Sequence, residues 1–494
     1  MLGKLKELAS DALIYGLSTI LIRFLSFLLT PLYSNYLSTS QFDFLIFVLA
    51  FTTSLSIFYT VGLESAYIRF FKSEHKENSK KAFTFAYCVI NIISVVSTVL
   101  IAINSELIVS LSYYTHIENA QNLIIIASFI PLIDSLSNIP INYLRMSGGA
   151  IKLSIIKLLV ILTTLGLHVY FIVLNGWQAE GAFWAQVCAN SLSFVLLIPI
   201  IIKNFRIGMN KELWINMIRF AAPVIPAGLS SILIQTIDKP LLKIITGSEF
   251  AITAYQVNYR LAIPVLLFVS VFDFAWQPFY LKNYSDKNSP QLLGKVLTYF
   301  VLLSLLIFLI IVFFTEYVIR LPFFGGKLIN PIYYEGLKVL PIVTVAYLLY
   351  GFYINFSVSV IVGKKTIATA IALMSALIVN VAMNFILVPE YSYMGSAYAL
   401  VLTYLTAVLV IYFYGKNYFR VDYEWIRLIK LIIPVAIIYA FVFYISNLIE
   451  DMVMMAIIKF IGIIIFLLYL KVSNFFDFEE LMTMKQYVRR LRIF

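Results

Sequence analysis

The sequence predicts an all-α integral membrane protein with 14 transmembrane helices, twelve of which form two duplicated six-helix units. Three observations lead to this fold class: the composition, the length of the apolar segments and an internal repeat. Of the 494 residues, 62% are hydrophobic and 12% are charged, whereas a soluble domain is about 45–50% apolar and about 25% charged. The composition therefore excludes an ordinary soluble protein.

The apolar segments are each long enough to cross a hydrocarbon core of about 30 Å as a helix. We predict the spans of the first unit at residues 11–36, 42–66, 82–103, 121–144, 151–174 and 180–202. We predict those of the second unit at 216–246, 251–272, 293–315, 335–362, 366–388 and 394–414, with two more at 426–448 and 452–471. The expected division is an N-terminal lobe at 1–206, a C-terminal lobe at 207–415, and a last helix pair with a basic cytoplasmic tail at 416–494.

The basic residues predict the orientation. The net charge of +11 would also suit a nucleic-acid-binding protein, but cytoplasmic loops of membrane proteins are enriched in Lys and Arg. With the N-terminus in the cytoplasm, most Lys and Arg residues fall in cytoplasmic segments, and only Arg320, Lys327 and Lys243, the last near the outer end of the seventh span, are counted on the outer side. We therefore predict that both termini are cytoplasmic and that nucleic acid is not a partner.

An internal repeat supports the duplication. The segment GLSTILIR at Gly16–Arg23 returns as GLSSILIQ at Gly228–Gln235. Two further pairs have nearly the same separation, namely Glu64–Phe70 with Asp273–Phe279 and Gly181–Ala185 with Gly395–Ala399. Because each unit holds an even number of spans, the copies would be parallel, as in many transporters with a site between two lobes. Chance similarity between apolar segments is the alternative.

Two arginines, Arg23 and Arg260, are predicted near the middle of the first and eighth spans. A mid-bilayer arginine costs at least about 2.5–3.5 kcal/mol on insertion scales, so it faces a cavity or a partner charge. One hypothesis is a cationic cavity that binds an anion such as a phosphate, which arginine grips through two hydrogen bonds. The alternative is a buried ion pair that holds helices together.

Other polar residues inside spans are candidates with weaker support. Asp134 fits either a coupling-ion site or the counter-ion of an arginine, and the adjacent Asp238 and Lys239 favour a structural pair over a coupling role. Asn380 and Asn384, one turn apart, would face the cavity and bind sugar hydroxyls, or join neighbouring helices.

No catalytic constellation is present in the sequence. The three histidines lack metal-ligand spacing, and His168 on an apolar span suits a hydrogen-bonded core residue. We therefore predict no enzyme activity, no metal and no cofactor. Proline positions point instead to motion, since Pro223 and Pro226 open the seventh span and Pro264 interrupts the eighth.

Several segments resemble those of a known family. They are Arg23–Pro31, Pro223–Pro226, Asp238–Gly247 followed by Ala254 and Tyr255, and Asn384–Pro389 before Gly395–Ala397. On these segments the whole chain resembles the polysaccharide-export branch of the multidrug/oligosaccharidyl-lipid/polysaccharide (MOP) exporter superfamily. That branch contains the Wzx-type O-antigen flippases and is related to the MurJ-type lipid II flippases.

The resemblance implies a V-shaped, two-lobe bundle in the inner membrane. It implies alternating access that moves a polyprenyl-pyrophosphate-linked oligosaccharide, such as an O-antigen repeat unit for lipopolysaccharide, to the outer leaflet. Arg23 and Arg260 would line the cationic cavity, and the last two helices would form a groove for the lipid tail. Implied partners are the lipid-linked substrate, the bilayer, and the polysaccharide polymerase with its chain-length machinery.

Two alternatives stay open from the sequence. A multidrug cation antiporter of the same superfamily, driven by H⁺ or Na⁺, would present acidic residues to its substrate, whereas this chain places arginines at mid-membrane. A membrane polysaccharide polymerase would need a large outer loop, and an acyltransferase would need a buried catalytic histidine. The outer loops are short, and only His168 keeps the acyltransferase open.

Overall fold

The computed structural model describes residues 27–60, 62–71, 76–206, 208, 210–222, 224–286, 288–323, 326–363, 365, 367–449 and 451–476. The first copy of the repeated segment, Gly16–Arg23, lies outside the described residues, and so does the predicted site residue Arg23.

The helices of the first half of the chain follow in this order: α1 (residues 27–36), α2 (Thr39–Thr60), α3 (Leu63–Phe70), α4 (Lys76–Ile103), α5 (Ser105–Leu111), α6 (Ala120–Met146), α7 (Ala150–His168) and α8 (Gln178–Asn204). A π-helical turn, Val169–Leu174, continues α7.

The second half continues with α9 (Lys211–Ala221), α10 (Val224–Thr236), α11 (Asp238–Thr246), α12 (Glu249–Leu261), α13 (Ile263–Asn283) and α14 (Ser289–Ile319). An antiparallel hairpin of β1 (Pro322–Phe323) and β2 (Gly326–Lys327) and a 3₁₀ helix (Pro331–Lys338) precede α15 (Val339–Val362), α16 (Ile367–Tyr391), α17 (Tyr393–Gly415), α18 (Trp425–Ser446) and α19 (Met452–Val472).

The predicted helical membrane protein is confirmed. In the described ranges, 12 helices are long and apolar enough to span a membrane, or 13 if the bent pair of α9 and α10 forms one span. The exact count of 14 and the location of the termini stay predictions, since most of the first predicted span precedes residue 27.

The chain forms two compact units. One comprises Met1–Leu281 with Pro322–Phe419, and the other comprises Lys282–Leu321 with Arg420–Phe494. In the second unit, α14 packs against α18 and α19, and Glu316 on α14 pairs with Lys459 on α19 at 3.3 Å. This helix is the predicted ninth span, and its most extensive contacts with other described helices are with the last two. The lobe boundaries themselves stay a prediction.

Within the first unit we call residues 27–206 the N-half and residues 210–281 with 322–419 the C-half. In the N-half, α2, α4 and α8 pack against α6. In the C-half, α17 packs against α15 and α16. The halves meet where α2 contacts α10, α11 and α12, and where α9 packs on α3 through Met217 and Ala221.

Three predicted spans are broken helices. The break between α2 and α3 lies at Gly62, whose φ of 66° is left-handed. The other two follow from proline, which lacks an N–H donor and clashes with the carbonyl four residues earlier. Pro264 thereby ends α12 just beyond Arg260, and Pro240 accompanies the break between α10 and α11 at Ile237. Asp238, Lys239 and Arg260 thus lie at helix breaks.

The matching glycines Gly181 and Gly395 have matching surroundings. Each lies in the first turn of its helix, α8 or α17. A Cβ at Gly181 would lie 2.9 Å from Phe171 Cβ, and one at Gly395 would lie 2.5 Å from the carbonyl oxygen of Leu387. Both glycines therefore let the helix start pack tightly against the preceding segment.

Candidate functional site

A cavity of ≈ 250 Å³ lies in the first unit, between the N-half helix α2 and the C-half. Its walls combine apolar, hydroxyl, amide, aromatic and cationic side chains. The lining residues are Ile46, Leu49, Ala50, Thr53, Gln235, Thr236, Lys239, Gln256, Tyr259, Arg260, Ile263, Leu266 and Tyr347. Such a mixture of apolar walls and a few convergent polar groups is typical of a ligand site.

Arg260 reaches this cavity from the last turn of α12, as the sequence predicted for a cavity-facing arginine. Its guanidinium lies 3.5 Å from the hydroxyl of Thr30 and 5.8 Å from the ring centroid of Tyr33, both on α1. Within the described ranges, Arg260 forms no ion pair with a carboxylate. Since arginine carries five N–H donors, most of its hydrogen-bonding capacity is available to an anion.

Lys239 is the second cation of the cavity, and it is 4% exposed. Its ammonium donates to Asp238 Oδ1 at 2.7 Å and to the carbonyl of Gln235 at 2.8 Å. It also lies 4.4 Å from the ring centroid of Tyr259, a cation–π distance. Tyr255 donates to the other oxygen of Asp238 at 2.7 Å, which fixes the carboxylate.

Lys239 and Arg260 line the same cavity of ≈ 250 Å³. Like charges in a poorly hydrated site repel each other, and the single carboxylate of Asp238 neutralises one of them. The cavity therefore has an excess of positive charge that a bound anion would neutralise. The sequence predicted a structural pair for Asp238 and Lys239, and the structure shows that the lysine of this pair also faces the cavity.

Four cavity residues were not predicted from the sequence, namely Gln235, Gln256, Tyr259 and Tyr347. One available signal was the spacing of Gln256, which lies four positions before Arg260 and therefore on the same helix face. Tyr347 lies on α15, distant in sequence from the other lining residues, and nothing in the local pattern marks it.

Asn380 and Asn384 do not lie among the cavity-lining residues. Both side chains are fully buried between α16 and α17. Asn380 donates to the hydroxyl of Thr403 at 2.9 Å, and Ser396 donates to Asn384 at 2.8 Å. This placement departs from the predicted sugar-binding role and fits the alternative of inter-helix contacts. Because both amides are 0% exposed, they are not accessible to a ligand in the cavity.

A comparison with known families shows to which family the chain belongs. Residues 8–279 match the family model described as "Polysaccharide biosynthesis protein". The chain belongs to the polysaccharide biosynthesis protein family. The matched segment contains every lining residue of the cavity except Tyr347. A search among curated proteins finds no match.

Solved structures share the fold of this polysaccharide biosynthesis protein. One is the lipid II flippase MurJ in an inward closed conformation, with a TM-score of 0.75, 17% identity, and coverage of 93% of this chain and 98% of that one. Another is a multidrug resistance MATE family transporter of the MOP superfamily in an inward-facing conformation, with a TM-score of 0.59, 16% identity, and coverage of 80% and 94%. The chain shares the fold of these two solved structures, as the sequence resemblance predicted.

Asp134 lies away from the cavity of this polysaccharide biosynthesis protein. Its side chain is on α6 of the N-half, and the nearest charged groups are Glu64 on α3 and Lys157 on α7. Asn138, one turn further along α6, donates to Glu64 at 2.8 Å. Asp134 is therefore part of a separate polar cluster within the N-half, and its predicted coupling or structural role stays a prediction.

On the predicted outer side, polar contacts join the two halves of the first unit. Lys243 on α11 pairs with Asp43 on α2 at 2.6 Å, and both side chains are buried. Ser40 donates to Glu249 at the start of α12 at 3.1 Å, and His116 lies 2.8 Å from the same carboxylate. Together these contacts hold the outer ends of α2 and of the C-half helices against each other.

Two further groups complete this outer region. Asn35 on α1 donates to the carbonyl of Lys327 in the β-hairpin at 2.9 Å. Tyr114, in the loop between α5 and α6, lies over Lys243 with its ring centroid 4.5 Å from the ammonium. Burial, and to a lesser extent the Asp43 carboxylate, raises the pKa of the Tyr114 phenol, so this ring stays neutral beside the ion pair.

His168 has two hydrogen-bond partners, as expected for a core histidine. Its Nδ1 lies 2.7 Å from the carbonyl of Thr164, and its Nε2 lies 2.8 Å from the Tyr33 hydroxyl. Because a carbonyl only accepts, Nδ1 carries the proton, and Nε2 accepts from Tyr33. The histidine thus fixes the Tyr33 ring, whose centroid lies 5.8 Å from the Arg260 guanidinium.

Proposed function

We propose that this protein flips a polyprenyl-pyrophosphate-linked oligosaccharide, an O-antigen unit or a similar surface-polysaccharide repeat, across the inner membrane. The observation that carries the proposal is the placement of Arg260 and Lys239 in one polar, aromatic cavity at breaks in two membrane helices. A pyrophosphate is the anionic group of such a lipid, and arginine binds phosphate oxygens through two parallel hydrogen bonds.

The remaining lining groups suit the sugar. Hydroxyl and amide side chains such as Thr53, Gln235 and Gln256 exchange hydrogen bonds with sugar hydroxyls, and Tyr259 and Tyr347 offer apolar ring surface. Arg23, which precedes the described residues, is proposed to add a further cation from the first span. The lipid tail would stay in the bilayer while the polar head group crosses.

The charge of the cavity argues against the multidrug cation alternative. A cationic drug would need a carboxylate at the site, and the described lining residues include none. Asp238, the nearest carboxylate, is already bonded to Lys239 and Tyr255. An anionic substrate is therefore favoured over a cationic one.

In transport by alternating access, the polar contacts on the predicted outer side would keep that side closed. With Asp43 bonded to Lys243 and Ser40 bonded to Glu249, the two halves are joined on the predicted outer side. In the proposed cycle these contacts break after the substrate binds from the cytoplasm, and the head group leaves to the outer leaflet. The product would then be taken up by the polysaccharide polymerase and chain-length machinery.

The test is a flipping assay with the purified full chain in liposomes. The substrate is a fluorescent, short-chain polyprenyl-pyrophosphoryl sugar, and flipping is measured by protection from a membrane-impermeant quencher. Removing a hydrogen bond to a charged group costs about 1.5–3 kcal/mol, so R260A and K239M should each slow flipping by about 10- to 150-fold. The matched control is K338M, which removes an exposed cation outside the cavity.

Two outcomes would contradict the proposal. Wild-type rates for both R260A and K239M would show that the cavity cations do not bind the substrate. Equal flipping of a neutral lipid analogue that lacks the pyrophosphate would show that anion recognition is not the function of this cavity. R260K is an informative intermediate, because lysine keeps the charge but lacks the planar fork of donors.

A further inference from the structure

The guanidinium of Arg260 is held beside the cavity by groups that carry no charge. In the described ranges, its polar and ring contacts are the Thr30 hydroxyl at 3.5 Å and the Tyr33 ring, over which it lies 5.8 Å from the centroid. The other cation of the cavity, Lys239, is instead paired with the Asp238 carboxylate at 2.7 Å. Thr30 and Tyr33 therefore restrict the position of Arg260 without neutralising its charge.

The Tyr33 ring is itself fixed by the rest of the N-half. Tyr33 is 3% exposed and is not among the residues that line the cavity. Its hydroxyl donates to Nε2 of His168 on α7 at 2.8 Å. Its ring contacts the rings of His168 and of Phe42 on α2, at centroid distances of 5.7 and 5.8 Å. These contacts on two neighbouring helices give the arginine a preformed aromatic surface.

A fixed ring affects how well the arginine binds an anion. A free arginine side chain has many rotamers, and the loss of this freedom on binding lowers the affinity for a ligand. An aromatic ring attracts a guanidinium through its π electrons, so the N–H donors are not taken up as they are by a carboxylate. Arg260 is therefore ordered before an anion arrives, and its donors are still available.

We infer that Tyr33 is a positioning residue for Arg260, and that its ring orders the guanidinium for binding the pyrophosphate. The inference rests on the proposed function and adds how the anion site is assembled. Tyr33 is on α1 of the N-half, whereas Arg260 is on α12 of the C-half. Both halves thus complete the site, and its affinity for phosphate is highest while α1 lies against α12.

The test measures the binding of geranyl pyrophosphate to the full chain in lipid nanodiscs by isothermal titration calorimetry. Y33L removes the aromatic ring, and it should weaken binding of this probe by about 2- to 30-fold, the range of a cation–π contact. Y33F keeps the ring and loses only the hydroxyl, so it should bind the probe like the wild type.

A double-mutant cycle separates positioning from a general structural effect. Because the ring acts through Arg260, Y33L should weaken binding no further when it is added to R260A. The matched control is Y67L, which removes another fully buried tyrosine ring of the N-half, one that packs on Phe71 and Phe83. Y67L should lower the melting temperature and leave the affinity for the probe unchanged.

The possible failures are distinguishable. If the wild type does not bind the probe, or if R260A binds it equally well, the proposed function fails and the inference fails with it. If R260A weakens binding and Y33L does not, the proposed function stands and the inference is wrong. The inference is also wrong if Y33L weakens R260A as much as it weakens the wild type, if Y67L reproduces its effect, or if Y33F binds as weakly as Y33L.

Discussion

The buried ion pair between Asp43 and Lys243 allows a quantitative prediction about how the two halves of the first unit separate. The ammonium lies 2.6 Å from the carboxylate, and the side chains are 0% and 2% exposed for Asp43 and Lys243. Asp43 is on α2 and Lys243 is on α11, so the pair exists only while these helices are in contact. We predict that removing either charge favours the state in which the outer ends have moved apart.

The magnitude follows from burial. Removing one partner of a buried ion pair leaves the other charge uncompensated and costs about 3–5 kcal/mol, which corresponds to a factor of about 150 to 5,000 in an equilibrium constant. The unpaired charge regains hydration when the outer side opens, so K243M and D43N should each shift the population toward the open state. D43N/K243M leaves no buried charge, and it should recover most of the closed state.

Distances between spin labels measure this shift. Labels at Leu111 on α5 and Ile332 in the 3₁₀ helix are suitable, because these residues are 66% and 52% exposed and lie in different halves of the first unit. The free cysteines Cys88 and Cys188 are first replaced by serine. We expect a short distance in the wild type and a longer one as the major population in the single variants. Unchanged distances in both single variants, or a double variant as open as either one, would refute the reasoning.

Three further predictions concern the helix breaks and the core. P264A restores a backbone donor, so the α12–α13 break should straighten and flipping in liposomes should slow without loss of thermal stability; full-rate flipping would contradict a role for the break. G395A places a methyl group 2.5 Å from a backbone oxygen and should lower the melting temperature, whereas G166A, with nothing within 4 Å, should add about 1 kcal/mol of stability. H168L removes the acceptor of the buried Tyr33 hydroxyl and should cost about 1–3 kcal/mol in thermal unfolding, most of which the added Y33F should restore.

Some features of the site follow directly from local sequence. A charge inside an apolar span has to face a cavity or a partner, and Arg260 does so. A proline inside a span has to disturb the helix before it, and Pro264 ends α12 beside that arginine. Composition and the length of the apolar segments predicted a helical membrane protein in a similarly direct way. None of these conclusions depends on which segments meet in the folded chain.

Other features depend on which side of a helix meets another helix. Asn380 and Asn384 were predicted either to bind sugar hydroxyls or to join neighbouring helices, and they bond to α17. Lys239 was expected to be structural, yet it lines the cavity as well as pairing with Asp238. Gln256 also lines the cavity, and its place there depends on the tertiary contacts of α12.

The sequence by itself determined the class of protein, the position of its intramembrane charges and the interruption of the eighth span at Pro264. Only the tertiary structure decided which polar groups share the cavity and which join helices, and that α14 packs with α18 and α19. The physical reason lies in the solvent. In water an amphipathic pattern marks the buried face of a helix, but lipid tails are as apolar as a protein core. An apolar face therefore does not reveal its neighbour, and the contacts of each polar side chain have to be read from the folded chain.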